Sequence, residues 1–321
     1  MTRVAVVLMN LGGPDSLAAV QPFLFNLFSD PAIIGLPGVL RLPLARFVAW
    51  RRAPVARDIY AHLGGRSPLL ANTEAQARAL EAVLGPGYRC FVAMRYWQPL
   101  SAETARAVLE WAPDEIVCLP LYPQFSTTTT ASSLVAWQIA AARGGLTCPS
   151  HIIRCYPCEQ GLVEAMAGLI QPALDEVSGT GRPYRLLLTA HGLPKRIVRQ
   201  GDPYPVQVEQ TAAAVVAALG RPELDWCVCY QSRVGPLEWI GPATDEEIKR
   251  AGKDAIRLIV APISFVSEHS ETLVELDLDY RHLAQTAGVP SYHRVATVGV
   301  SPRFIESLAT LVNRALAGVP G

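Results

Sequence analysis

Short apolar runs alternate with helix-like stretches along most of this 321-residue chain, and this order constrains the fold more than any other feature. Seven runs predict strands, at residues 4–11, 90–94, 116–119, 152–155, 186–189, 227–230 and 258–261. Stretches between them predict helices, among them residues 73–84, 102–111, 162–177 and 206–219. Several strand runs are apolar throughout, as in parallel strands that helices cover on both faces. We therefore predict an α/β protein with parallel sheets in a doubly wound arrangement.

Chain length and a short internal similarity indicate two domains. Half of the residues are hydrophobic, so the chain can bury a large core. Asp114-Glu-Ile leads to Pro120 in one half, and Asp254-Ala-Ile leads to Pro262 in the other. We place the boundary at residue 157, which gives domains of residues 1–157 and 158–321. We expect the last helix, residues 302–316, to pack back on the first domain.

Charge and hydropathy exclude some classes of protein. The 28 basic and 28 acidic residues balance to zero, which argues against a bulk nucleic-acid binder. No run of about 18 or more apolar residues appears, so we predict no membrane-spanning helix. The first residues lead into a strand without a cleavable export signal, so we expect a cytoplasmic protein. Attachment to a membrane surface stays open.

The seven cysteines are expected to be reduced, because their number is odd and no export signal precedes them. Three of them lie inside apolar runs and are predicted core residues: Cys118, Cys227 and Cys229. Cys155-Tyr-Pro-Cys158, with Cys148 upstream, could ligate zinc or an iron–sulfur cluster. No second close pair with standard zinc spacing follows, so ordinary thiols are the favoured interpretation.

Glycine, proline and polar residues concentrate just after the predicted strands. These clusters begin at Asn10, Arg95, Tyr122, His191, Gln231 and Ser264. Open parallel sheets bind ligands at the carboxyl ends of their strands, so we expect the functional site there. The chain has no GxGxxG after its first strand, no GxxxxGK[ST] loop and no GxSxG elbow, so nucleotide binding and hydrolase chemistry are not indicated.

A histidine and a row of carboxylates are the strongest candidates for chemistry. His191 follows a predicted strand and precedes Gly192, which lets a ligand approach closely. Glu271, Glu275 and Asp279 recur every four residues, and on an α-helix they form a row of about 12 Å. The row is either a solvated acidic face or a path for a cation or protons towards Glu271. Histidine with carboxylates can accept protons or bind a divalent metal.

A long apolar segment runs from Phe23 to Trp50, interrupted by prolines, and Arg51 and Arg52 follow it. An ordinary buried helix with a proline-rich connection would explain this segment. An apolar lip for a large flat ligand, with arginines for its carboxylates, would explain it equally well. The same lip could rest on a bilayer.

Seven motifs in this order resemble the ferrochelatase family, whose members insert ferrous iron into a porphyrin to make haem. They are Met9-Asn-Leu-Gly-Gly-Pro14, Arg51-Arg-Ala-Pro54 with Gly64-Gly-Arg-Ser-Pro68, Arg95-Tyr96, Tyr122-Pro-Gln-Phe-Ser126, Ala190-His-Gly-Leu-Pro194, Tyr230-Gln-Ser-Arg-Val-Gly-Pro236 with Trp239, and Phe265-Val-Ser-Glu-His-Ser-Glu-Thr-Leu273. Each motif alone is weak, but seven in order over almost the whole chain are specific.

The resemblance implies a chelatase-like α/β fold of two Rossmann-like domains, each with a parallel sheet flanked by helices. It assigns His191 and Glu271 to the catalytic metal and proton site, with Glu275 and Asp279 on the path to that site. It places further residues near the porphyrin or its propionates: Arg51, Arg52, Ser67, Tyr122 and Trp239. In the implied mechanism, the pocket bends the porphyrin, His191 accepts pyrrole protons, and Glu271 with the row passes iron or protons.

The resemblance implies Fe²⁺ insertion into protoporphyrin IX and makes porphyrin and Fe²⁺ the substrates, with no required cofactor. Some ferrochelatases bind a [2Fe–2S] cluster through cysteines near a C-terminal extension. No cysteine follows Cys229, so this arrangement is not expected here. Three alternatives stay open: a ferrochelatase acting on coproporphyrin, a related cobalt chelatase, and a non-catalytic porphyrin or haem carrier. The oligomeric state is not readable from the sequence.

Overall fold

Two four-stranded parallel sheets form the framework of the computed structural model, which describes residues 2–179 and 183–318. The first sheet has the order β2-β1-β3-β4 and the second the order β6-β5-β7-β8. The strands are β1 (Val4–Asn10), β2 (Tyr88–Met94), β3 (Glu115–Pro120), β4 (Ser150–Ile152), β5 (Tyr184–His191), β6 (Trp226–Gln231), β7 (Arg257–Pro262) and β8 (Tyr292–Arg294). Strand pairing is parallel throughout the described sheets, as predicted.

Burial explains why the strand runs lack polar alternation. All residues of β1 and of β7 are buried, because each strand has a neighbour on both sides and helices over its faces. The sequence missed β8, which has three residues and lies at the edge of the second sheet. A strand this short carries too few residues to show a period.

Helices connect the strands. They are α1 (Val20–Phe28), α2 (Gly38–His62), α3 (Leu69–Leu84), α4 (Ser101–Trp111), α5 (Ser132–Gly144), α6 (Gln160–Ser178), α7 (Lys195–Arg199), α8 (Tyr204–Leu219), α9 (Thr244–Lys253), α10 (Tyr280–Thr286) and α11 (Pro302–Leu316). The four predicted helices correspond to α3, α4, α6 and α8, so the fold class expected from the sequence is confirmed.

Two π-helices occupy corresponding places in the two halves. The first, Thr127–Ala131, follows β3, and the second, Glu271–Asp279, follows β7. The prediction of an α-helix for residues 271–279 is therefore wrong. Hydrogen bonds of a π-helix run from i to i+5, so its turns are wider, and the 12 Å row based on α-helical rise does not apply. Ser270 precedes the second π-helix, but its side chain makes no capping hydrogen bond.

The chain divides into two compact units. One contains Met1–Cys155 and Leu308–Gly321, and the other contains Tyr156–Ser307. Each unit has its own apolar core: Trp137 and Ile116 belong to the first, and Leu276 and Leu258 to the second. The domain limits 1–157 and 158–321, and the packing of the last helix on the first domain, stay predictions.

The predicted lip is partly core and partly surface. Phe23 and Leu24 of α1 are buried against Ala49 and Tyr60 of α2, so this part of the segment packs as an ordinary helix. Further along, α2 exposes seven large apolar residues: Val39, Leu40, Leu42, Leu44, Phe47, Trp50 and Val55. In the described part of the chain, no helix is long and apolar enough to cross a membrane.

Two prolines lie inside α2 without ending it. Pro43 and Pro54 have no backbone N–H, so the carbonyls of Val39 and Trp50 lack their usual donor. Val39 and Trp50 are 81% and 62% exposed, so both carbonyls belong to residues on the solvent-exposed side of the helix. Solvent exposure therefore makes the prolines tolerable in this helix.

Candidate active site

His191 and Glu271 meet at the carboxyl edge of the second sheet. His191 is the last residue of β5, and Glu271 is the first residue of the second π-helix. The His191 Nδ1 atom lies 2.7 Å from Glu271 Oε2, and the histidine side chain is 42% exposed. Two residues 80 positions apart in sequence are thus joined by one hydrogen bond. The two side chains also have the geometry of an ion pair.

Ser232 joins Glu271 to Glu275. The Ser232 hydroxyl lies 3.0 Å from Glu271 Oε2 and 2.5 Å from Glu275 Oε2, and its backbone N–H donates to Glu275 Oε1 at 2.8 Å. One hydroxyl has a single proton, so it donates to one carboxylate at a time. Ser232 has φ +60°, a left-handed conformation that is rare for residues other than glycine and is often found where function requires it.

Two more donors hold Glu275. Tyr280 donates its hydroxyl proton to Glu275 Oε1 at 3.0 Å, and Gln231 donates from Nε2 to Glu275 Oε2 at 3.3 Å. Gln231 is the last residue of β6, the strand next to β5. Glu275 is therefore fixed by groups from β6, the loop after it and α10.

Electrostatics shift the pKa values of all three ionisable groups. Desolvation lowers the pKa of His191, but the charge and hydrogen bond of Glu271 outweigh it, so the net pKa is raised. Desolvation alone would raise the pKa of Glu271, but the charge and hydrogen bond of His191 lower it overall. Burial and the charge of Glu271 raise the pKa of Glu275, against the hydrogen bonds from Ser232 and Tyr280. Glu271 therefore favours proton uptake by His191, and a second, more basic carboxylate, Glu275, lies beside the pair.

Asp279 is less closely tied to this site. It is the last residue of the second π-helix and its side chain is exposed. The predicted row thus consists of two carboxylates joined through Ser232 and a third on the surface. Among residues 2–179 and 183–318, no group of three or more His, Cys, Asp or Glu residues is arranged to hold a metal ion.

Trp239 packs close to the same strand end. A β-carbon on Gly192 would lie 2.8 Å from the carbonyl oxygen of Gln231 and 3.3 Å from Trp239 Cε3. Pro194 and Trp239 form an isolated antiparallel bridge, and the buried indole Nε1 of Trp239 has no hydrogen-bond partner within the described part of the chain. Glycine at residue 192 is thus required by close packing, as the sequence suggested, and it brings Trp239 to the histidine loop.

In the unit of the first sheet, two predicted motifs pack against each other. A β-carbon on Gly13 would lie 2.5 Å from the β-carbon of Ser67, and Ser67 N donates to the carbonyl of Pro14 at 2.8 Å. Tyr122 follows β3, and its hydroxyl lies 3.4 Å from Ser133 Oγ. Arg51 and Arg52 are exposed on α2. Porphyrin binding by Arg51, Arg52, Ser67, Tyr122 and Trp239 stays a prediction.

Asp30 organises a polar cluster that the sequence did not reveal. Its buried carboxylate accepts hydrogen bonds from Arg95 Nη2 and the Tyr96 hydroxyl, both at 2.7 Å, and from Ser132 Oγ. Burial alone would raise the pKa of Asp30, but the bonds from Ser132, Ala32 and Tyr96 lower it overall. In the sequence, Asp30 stood only before Pro31 at the end of a predicted apolar helix, so its partners were not readable.

Sequence reasoning also missed Ser232, Gln231 and Tyr280 as site residues. Gln231 and Ser232 lie in a motif at a strand end, which was a usable signal. Tyr280 is partly packed against the apolar core of the second unit, but its hydroxyl reaches Glu275. A tyrosine can pack its ring in an apolar core while its hydroxyl reaches a polar group. A hydropathy pattern indicates only the apolar packing.

The fold is that of two-domain chelatases. SirB from Bacillus subtilis with Fe³⁺ superposes with a TM-score of 0.55 at 12% identity, covering 99% of this chain and 97% of SirB. The sirohydrochlorin chelatase SirB from Bacillus subtilis subspecies spizizenii, in complex with cobalt, gives a TM-score of 0.57 at 11% identity, with the same two coverages of 99% and 97%. At these identities the likeness defines the fold alone.

Sequence comparison gives the family. The ferrochelatase family model matches residues 3–316. Ferrochelatase of Caulobacter vibrioides (strain NA1000 / CB15N) is 54% identical over 99% of this chain and 92% of its own length. Ferrochelatase of Phenylobacterium zucineum (strain HLK1) is 56% identical over 96% of this chain and 90% of its own length. The chain belongs to the ferrochelatase family, the metal chelatases that insert iron in haem biosynthesis.

Proposed function

We propose that this chain inserts Fe²⁺ into protoporphyrin IX and releases two protons, with His191 and Glu271 at the reacting centre. The observation that supports this proposal is the 2.7 Å contact between His191 Nδ1 and Glu271 Oε2. Iron insertion removes two pyrrole N–H protons, so the site needs a base and a way to stabilise the charge that the base acquires. His191 supplies the base, and the Glu271 carboxylate stabilises the resulting imidazolium.

The neighbouring carboxylates would carry iron or protons to and from this centre. Glu275 shares Ser232 with Glu271 and has a raised pKa, so it can hold a proton at higher pH than an ordinary carboxylate. Asp279 would form the exposed start of the path. Arg51 and Arg52 would bind the propionates, because guanidinium groups pair well with carboxylates. Ser67, Tyr122 and Trp239 would line the porphyrin site.

Replacement of His191 tests the role of the base. We expect His191→Ala to lower kcat for anaerobic Fe²⁺ insertion by a factor of about 10²–10⁴, because a general base is lost. His151→Ala, on β4 of the first sheet, is the matched control because it removes another histidine that contacts a carboxylate, Glu115, at 2.8 Å. Near-normal iron insertion by a folded His191→Ala protein would overturn the proposed role.

Substrate comparison separates the alternatives. We expect faster iron insertion into protoporphyrin IX than into coproporphyrin in the same anaerobic assay. A preference for coproporphyrin would favour the alternative ferrochelatase, and a preference for Co²⁺ and a reduced tetrapyrrole would favour a cobalt chelatase. Porphyrin binding without metal insertion under all conditions would favour a carrier.

We further propose that the chain needs no resident cofactor. None of the seven cysteines, all of which lie in the described part of the chain, forms a disulfide, and Cys158 of the Cys155–Cys158 pair is exposed. The visible spectrum of freshly purified, porphyrin-free protein tests this proposal. Iron–sulfur absorption bands would contradict it.

We propose that this enzyme is cytoplasmic and rests on the inner face of the membrane. The apolar face of α2, defined by Val39, Leu40, Leu42, Leu44, Phe47, Trp50 and Val55, supports surface contact with a bilayer. Sedimentation with phosphatidylcholine vesicles should fall when Phe47 and Trp50 are both changed to serine. The same change at Val83 and Val135, exposed on α3 and α5, is the control and should leave sedimentation unchanged. Absence of vesicle binding by the unaltered protein would contradict the contact.

A further inference from the structure

The second π-helix is held from two sides of the second sheet. Glu271 and Glu275 contact His191, Gln231 and Ser232, at the ends of β5 and β6. Leu276 and Asp277, the next residues along the π-helix, contact residues of β8, at the other edge of the sheet. The first set of contacts belongs to the candidate active site, whereas the second set joins the π-helix to residues outside that site.

Arg294 is the cation of this second set. Its side chain is 11% exposed, and its guanidinium lies 2.7 Å from Glu268 Oε1 and 2.7 Å from Asp277 Oδ2. Glu268 Oε1 also accepts the backbone N–H of Thr297 at 3.0 Å, and Asp277 Oδ1 accepts Arg281 Nη2 at 2.9 Å. One nearly buried arginine thus joins β8 to the loop before the π-helix and to the π-helix itself.

Tyr292, on the same strand, contacts the backbone of the π-helix near its end. The Tyr292 hydroxyl donates to the carbonyl of Leu276 at 2.7 Å, and Arg281 Nε donates to the carbonyl of Asp277 at 3.0 Å. The π-helix ends at Asp279, and α10 begins at the next residue, Tyr280. A change from i→i+5 to i→i+4 bonding leaves a carbonyl without a backbone donor, and side-chain donors can satisfy it. The Tyr292 hydroxyl and the Arg281 guanidinium bind carbonyls just before this change in bonding.

We propose that Tyr292 and Arg294 are positioning residues for iron insertion. They hold the π-helix in the register that places Glu271 against His191 and Glu275 against Ser232. The kinetic consequence rests on the function proposed above. Without these contacts, the π-helix can relax towards α-helical bonding, and both carboxylates then shift relative to the strand ends that bind them.

Two substitutions with matched controls test this inference. Tyr292→Phe removes one hydroxyl, and Tyr88→Phe removes a hydroxyl that bonds to Asn313 in the first unit. Arg294→Met removes the guanidinium that joins β8 to Glu268 and to Asp277 of the π-helix, a connection that we call the clamp. Arg185→Met removes an arginine at the start of β5 whose side chain is also 11% exposed. Arg185 pairs with Asp225. Each control therefore loses a similar group away from the π-helix.

We expect Tyr292→Phe and Arg294→Met to lower kcat roughly 10- to 100-fold, as losses of residues that orient metal-site groups do. The KM for porphyrin should stay within about twofold, and hydrogen exchange of the amides of residues 271–279 should become about tenfold faster. The controls should keep kcat within about twofold. The inference would be overturned if hydrogen exchange at residues 271–279 did not change in Tyr292→Phe and Arg294→Met. It would also be overturned if Arg185→Met lost as much kcat as Arg294→Met at the same loss of Tm.

Hydrogen exchange also separates this inference from the proposed function. If the unaltered protein inserts no iron, the proposed function fails, but selective acceleration at residues 271–279 in Arg294→Met still supports the clamp. If the unaltered protein is active and exchange does not change, the clamp alone fails.

Discussion

At the scale of single residues, the site combines an ion pair with a second carboxylate that is forced close to it. Glu271 gains a cationic partner in His191, whereas Glu275 gains mainly neutral donors and a like charge. Their pKa values therefore move in opposite directions although both lie on one π-helix. Two similar groups with different proton affinities are what acid–base chemistry requires.

Glu275→Gln should raise Tm at pH 7.5 and lower kcat about 10- to 100-fold. The folded pKa of Glu275 is raised above its ordinary 4.5, so the folded state binds this proton more tightly than the unfolded chain. Ionisation of Glu275 therefore costs stability at pH values above the folded pKa, and this cost vanishes as the pH falls below about 4.5. Calorimetry across this range should show the Tm difference closing at low pH.

Glu176→Gln, at an exposed position on α6, is the control and should show no such pH-dependent gain in Tm. A Glu275→Gln protein that is less stable than the unaltered chain at pH 7.5 would contradict the prediction. An unchanged kcat would show that Glu275 has no part in the reaction path.

At the scale of elements, sequence predicted the regular parts well and the irregular parts poorly. Most strands were readable as short apolar runs and the four helices from their helical period, because burial selects apolar residues in both. The π-helix at Glu271 was not, because four-residue spacing fits an α-helix and the contacts that stabilise the wider turn come from β8. The contact of His191 with Glu271 was suggested only by ordered motifs, since spacing does not show which loops meet.

Gly13→Ala tests the packing of two loops in the first unit. A β-carbon at Gly13 would lie 2.4 Å from Ser67 Oγ, so we expect a loss of about 1–3 kcal/mol in unfolding free energy. Adding Ser67→Gly should recover most of this loss, because the overlapping atoms are gone. Thermal unfolding of both single variants and the double variant gives the coupling energy. Additive effects would show that these two residues do not compete for space.

At the scale of the whole molecule, the two units have separate cores and each contains one deeply buried cysteine. Cys118 lies in the core of the first unit and Cys229 in the core of the second. Burial raises the pKa of both thiols, so they react slowly while folded. Chains of more than one domain often unfold in several steps.

We expect Cys118 and Cys229 to become reactive at different urea concentrations, because each reports the opening of its own core. Thiol labelling followed by mass spectrometry measures both in one sample. Cys158, which is exposed, should label without urea and serves as the control. Coincident labelling of the two buried cysteines at every urea concentration would show that the units unfold as one.

The two π-helices have equivalent positions in the backbone topology but carry different side chains. Each follows the third strand of a sheet with the same strand order, yet the first reads Thr-Thr-Thr-Thr-Ala and the second carries Glu271 and Glu275. The halves are therefore alike in topology and unlike in acidity, and the difference between these two π-helices lies in a few side chains. Under the proposed function, redesign of the metal preference would begin with those side chains and leave both sheets untouched.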